Sequence, residues 1–125
     1  MKKTIALGLA LALSSTLPAF AGNVTHTVYN TTHTCAWVTV DTANMLTPWR
    51  NDAFHYVKPG ESYKFTVESR PQLKVRAEPT KNPDCSGGKI ADVDNIEKRG
   101  IDDIAKKDFK ITYTNGKFHV ENGKP

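Results

Sequence analysis

The side chains best suited to chemistry are four histidines, His26, His33, His55 and His119, and two cysteines, Cys35 and Cys85. A metal site needs several of these at ligand distance, and His33-Thr34-Cys35 is where one would sit. No two of the histidines have helical spacing and none stands in a carboxylate motif, so solvent-facing or turn histidines are expected, with no metal and no cofactor. A blue-copper arrangement fails because Cys85 is followed by no methionine and by His119 alone. Asp92, Asp94, Asn95 and Glu97 make an oxygen-rich cluster, but the EF-hand order is absent and Lys98 and Arg99 adjoin it, so a solvated loop is expected. Hydrolysis by a carboxylate pair, Asp92 with Asp102, is allowed by residue type alone. No Gly-x-Ser-x-Gly, P-loop or zinc-protease motif is present, and no catalytic residue is assigned.

The cysteines take their meaning from the compartment. Met1-Lys2-Lys3, the apolar run from Ile5 to Leu13 and Ala19-Phe20-Ala21 follow the three-part plan of a secretory leader, predicting cleavage after Ala21. The apolar run is too short for a membrane span, and no later segment approaches spanning length. No cysteine follows the cleavage point to carry a lipid, and the short basic region is of the bacterial kind, which predicts a soluble periplasmic or secreted protein. In an oxidising compartment two cysteines read as one disulfide, Cys35 to Cys85. It would close a loop of about 50 residues, which the chain-entropy account values at about 4 kcal/mol. A thiol nucleophile or soft metal ligand would need the pair reduced.

Without residues 1–21 the chain is 104 residues long, enough for one domain with one core. Its 17 Lys and Arg fall to 15 against 13 Asp and Glu, so overall charge gives no reason to expect a nucleic-acid partner. Asn23-Val24-Thr25 and Asn30-Thr31-Thr32 match the N-glycosylation pattern, which means little behind a bacterial leader.

The elements that must hold these residues are strands. Cys35 to Val40 carries apolar atoms on both faces, with Cys35, Trp37 and Thr39 opposed to Ala36, Val38 and Val40, and reads as a central strand. Residues 23–29 alternate as a first strand. Asp41 to Asp52 reads as a loop carrying Met45, Leu46 and Trp49, part of which is expected to tuck onto the core or rim a pocket. Strands at 53–57 and 62–68 flank Pro59-Gly60, read as a type II turn closing a hairpin that pairs Tyr56 with Tyr63 and Phe54 with Phe65. Residues 72–78 show the cleanest alternation, followed by an irregular loop tethered by Cys85. A short strand is expected at 90–93 and a short helix near 101–107, where the acidic start and basic end suit the helix dipole. Asn115-Gly116 between 109–114 and 117–121 predicts a hairpin that pairs Tyr113 with Phe118, Ile111 with Val120 and Lys110 with Glu121.

About 7–8 short strands with one disulfide predict an all-β protein, an antiparallel β-sandwich. The function expected of it is an exported binding or interaction module for an anionic glycan, a lipid head group or a protein. The alternatives are an inhibitor that inserts loop 41–52 or 79–89 into a partner enzyme, and a small hydrolase tested through His55 and Asp92. If both tight turns close hairpins, His55, Lys64 and Arg76 form one cationic row across three strands, with Lys74 diagonal to it. Sheets avoid like charges face to face, which makes the row a candidate ligand site.

Overall fold

The computed structural model describes residues 22–90, 95–100, 104–105 and 108–125. The expected leader, Asp92, Asp94 and Asp102 lie outside them. Among the described residues are eight strands: β1 (Asn23–Asn30), β2 (Ala36–Ala43), β3 (Arg50–Val57), β4 (Ser62–Glu68), β5 (Gln72–Pro79), β6 (Asn95–Arg99), β7 (Asp108–Thr114) and β8 (Lys117–Asn122). They form two four-stranded sheets, β4-β1-β7-β8 and β3-β2-β5-β6. All neighbours are antiparallel except β1 and β7.

Alternation explains the layering. Val28, Phe65, Val67, Phe109, Ile111 and Phe118 project from the first sheet and Ala36, Val38, Val40, Leu73, Val75 and Ala77 from the second into one buried cluster. β2 is central in its sheet, as its two apolar faces require. His26 departs from the expectation of solvent-facing histidines. It is buried on β1, its ring 5.3 Å from that of Phe65 and 5.6 Å from that of Phe109, because position 26 shares the inward phase of Val28.

The Asn115-Gly116 hairpin has the expected register, with Tyr113 opposite Phe118, Ile111 opposite Val120 and Lys110 opposite Glu121. Both turn residues adopt positive φ, 53° and 75°, which is the type I′ geometry that suits the twist of paired strands. Gly116→Ala should therefore cost about 1 kcal/mol, since a Cβ is strained there, and a thermal melt showing an unchanged midpoint would contradict this.

The other two turns correct the expected pairing. Lys58-Pro59-Gly60-Glu61 is a turn with Gly60 at φ 79° and the Glu61 amide donating to Lys58 O at 3.0 Å. It closes no hairpin: β3 pairs with β2, β4 pairs with β1, and the chain changes sheets between them. A type II turn splays the strands it joins, which suits a crossover better than a hairpin. Residues 69–71 likewise carry the chain from the first sheet back to the second, so Val67 does not face Leu73.

Asp41 to Asp52 is also less of a loop than expected, because β2 runs on to Ala43 and β3 begins at Arg50. A register shift at Val40/Asp41 lets this long hairpin continue past the break in alternation. The strand after the disulfide loop is β6, which pairs with β5 and was hidden because its apolar content is Ile96 alone. Of the expected strand at 90–93 only Ile90 is described, and of the expected helix only Ile104 and Ala105. Ile104 is buried and its amide donates to Gly100 O at 3.2 Å.

Cys35 and Cys85 are bonded, with Cα atoms 5.0 Å apart. The bond ties the middle of loop 81–89 to Cys35, just ahead of the central strand, and a single bridge between Thr80 and Lys89 closes the base of that loop.

Candidate functional site

Strand β3 decides where a site can be. Ala53 packs against the core and Val57 is buried, so the even positions Phe54 and Tyr56 must face outward. Pairing of β3 with β2 sets Phe54 opposite Thr39 and Tyr56 opposite Trp37. The Trp37 ring lies 5.2 Å from that of Phe54 and 4.7 Å from that of Tyr56, tilted by 41° and 55°. Phe54 remains 58% and Tyr56 45% exposed, so these rings form a strip open to solvent. Trp37, on the face of β2 opposed to Ala36, Val38 and Val40, is the half-buried floor of that strip.

Cations border the rings. Lys89 Nζ stands 5.3 Å from the Trp37 ring centroid and Lys74 Nζ 4.4 Å from that of Trp49 in the β2–β3 loop. Arg76, opposite Thr39 on β5, reaches Glu78 at 3.1 Å, and Lys89 reaches the same carboxylate at 3.5 Å. Lys74 lies opposite Asp41 on one side and Glu97 on the other, and Glu97 pairs with Arg99.

The expected row of His55, Lys64, Arg76 and Lys74 does not form, because both hairpins on which it depends are sheet crossovers. Lys74 and Arg76 share the outer face of the second sheet with the aromatic strip. Lys64 lies on the other sheet, opposite Thr27. His55 is opposite buried Val38 at the rim of the sandwich, stacked 4.5 Å from Tyr63 at an interplanar angle of 15°. Burial pushes the Tyr63 phenol above its ordinary value. The signal that could have found the strip was the phase of β3: aliphatic Ala53 and Val57 alternate with aromatic Phe54 and Tyr56.

The tip of the β2–β3 hairpin is the second feature of note. Asn44 Oδ1 accepts from the amides of Leu46 and Thr47 at 2.9 and 2.7 Å and from the Thr47 hydroxyl at 2.7 Å. Arg70 donates to that hydroxyl at 2.8 Å and pairs with Glu68, which also pairs with Arg50. This braced loop holds Met45 and Leu46 94% and 93% exposed, so of its three large apolar side chains only Trp49 is half-buried.

A shallow cleft of about 240 Å³ lies elsewhere, between the turn at Thr32–Thr34, Thr80, Ile90 and Tyr113. Its hydroxyls serve the scaffold: Thr34 donates to Thr80 O at 2.7 Å, and the Thr80 hydroxyl lies 2.9 Å from Asn82 O and 3.2 Å from Cys35 O. Among the described residues no group of three His, Cys, Asp or Glu could hold a metal ion. No helix among them is long and apolar enough to cross a membrane. No protein-family model, curated protein or solved structure matches this chain.

Proposed function

We propose that the protein is an exported binding module that recognises an anionic ligand or a protein partner with the outer face of β3-β2-β5. The leader-like first 21 residues and the Cys35–Cys85 bond support export to an oxidising compartment. The aromatic strip of Trp37, Phe54 and Tyr56 carries the binding reading. The solvated side of an antiparallel sheet is ordinarily polar, and contiguous exposed apolar surface rimmed by polar groups marks interaction sites. Rings held against one another lose little freedom on binding, so they act as preformed anchors.

Immobilised wild-type protein and a Phe54→Ser/Tyr56→Ser variant, both exposed to an envelope extract of the source cells, test this. The wild type should retain material, protein or glycan, that the variant releases, while the thermal midpoints stay within a few degrees. Equal retention by both would remove this face from consideration.

A second reading, an inhibitor that inserts its hairpin tip into a partner's cleft, is favoured by one observation, the fully exposed Met45 and Leu46 on a braced loop. It predicts that Met45→Ser/Leu46→Ser leaves stability unchanged and abolishes the interaction. If that double variant retains the same partner as wild type, the tip is not the contact.

A further inference from the structure

Resting on the reading of this face as the binding surface, we infer that its ligand is an acidic polysaccharide, a chain of pyranose rings bearing carboxylates. Two demands must be met by one surface: apolar C–H faces of the sugars need flat π surface, and hydroxyls and carboxylates need fixed donors. The rings of Trp37, Phe54 and Tyr56 supply the first, since the electron-rich face of an aromatic ring attracts the weakly positive hydrogens of a sugar's C–H face. Their mutual tilts of 41° and 55° present a twisted strip, suited to a single polysaccharide chain more than to a flat crystalline surface.

Arg76, Lys74 and Lys89 supply the second. Arg76 carries the planar fork that matches a carboxylate, and the two lysines are compact charges placed at the rings. Glu78 is shared between Arg76 and Lys89, Asp41 lies opposite Lys74, and Glu97 pairs with Arg99, so positive charge is in excess on this face. The outward residues of β2, β3 and β5 beside the strip are Thr39, Asp41, Lys74, Arg76 and Glu78, with no aliphatic side chain among them. The cores of protein interfaces are depleted in lysine and glutamate, whereas here these residues stand among the rings. That mixture favours a hydroxyl-rich, carboxylated ligand over a protein.

Titration calorimetry with polygalacturonate, alginate and hyaluronate, against neutral dextran and cellohexaose, tests the inference. At least one uronate polymer should bind. Phe54→Ser/Tyr56→Ser should abolish that binding, and Lys74→Gln/Arg76→Gln should weaken it on the order of tenfold, a loss of about 1.4 kcal/mol. Lys64→Gln, on the other sheet, should leave it unchanged. Neutral glycans bound as tightly as the uronates would overturn the acidic part of the inference. No binding to any of these glycans, with envelope protein still released by the Phe54/Tyr56 variant, would overturn the polysaccharide and leave the binding face standing. Uronate binding untouched by the Phe54/Tyr56 changes would overturn both.

Discussion

Asn30→Ala should destabilise the domain by about 3 to 5 kcal/mol, which is a large part of the stability of a domain this size. The residue is buried at the end of β1 and uses its whole side chain. Its Nδ2 donates to Thr34 O and to Val57 O, each at 2.8 Å. Its Oδ1 accepts from the Thr32 amide at 2.9 Å and lies 2.7 Å from the Thr32 hydroxyl. One side chain thus joins the exit of β1, the turn into β2 and the end of β3 on the opposite sheet. Alanine leaves two carbonyls and an amide without these partners, each costing about 1 to 3 kcal/mol less whatever entering water recovers. Asn30→Asp places a carboxylate against two carbonyl oxygens, so its folded-state pKa should rise above the ordinary value of about 3.9. The unfolded chain then loses its proton first as pH rises, and stability should fall from about pH 4 upward. Denaturant melts at pH 4 and pH 7 read this directly. An aspartate variant no weaker at neutral pH would contradict the bonding. The same bonds make Asn30 unsuited to carry a glycan in the folded domain, despite its Asn-Thr-Thr context.

Loss of the disulfide should have a similar effect. The bond spans a sequence separation of 50, and the chain-entropy account gives a cost of about 4 kcal/mol for opening such a loop. In a domain of roughly this size that lowers the thermal midpoint by roughly 15 to 30 °C. Cys35→Ala/Cys85→Ala should show it, and so should reduction of the wild type, which restores the two hydrogens missing from the oxidised mass. A mass that reduction leaves unchanged would contradict the bond. The change should also reach the proposed binding face. Lys89 stands at the end of the tethered loop, between Glu78 and the Trp37 ring, so freeing the loop should cost part of the affinity for an anion.

The features legible in the sequence were those set by neighbours in the chain. Two apolar faces placed β2 at a sheet centre, Asn115-Gly116 set the β7–β8 register, and a leader-like start followed by two cysteines implied the bond. What misled was the inference from a tight turn to a pairing. Pro59-Gly60 makes the expected turn, but its backbone twist and the grip of Asn30 send β4 to the other sheet: the Asn30 amide donates to Glu61 O at 3.0 Å and the Gly60 amide to Asn30 O at 2.9 Å. With that pairing lost, Phe54 and Tyr56 turned from core to surface, and the cationic row separated into Lys74 and Arg76 on one sheet and Lys64 on the other. The weakly apolar β6 depends on pairing with β5, a distant segment, which local alternation does not report, whereas His26 follows the inward phase of Val28 and was misjudged by residue type alone.

Trp37 and Trp49 are the two tryptophans of the chain, and both belong to the proposed face. Their indole N–H signals in a nitrogen-15 correlation spectrum, followed while polygalacturonate, alginate or hyaluronate is added, therefore test the central claim most directly. Both indole signals should shift together with the amides of Phe54, Tyr56, Lys74 and Arg76, and the amides around Lys64 and the Thr32–Thr34 cleft should stay in place. Shifts confined to the cleft or to the β4-β1-β7-β8 face, with both indoles unmoved, would contradict it.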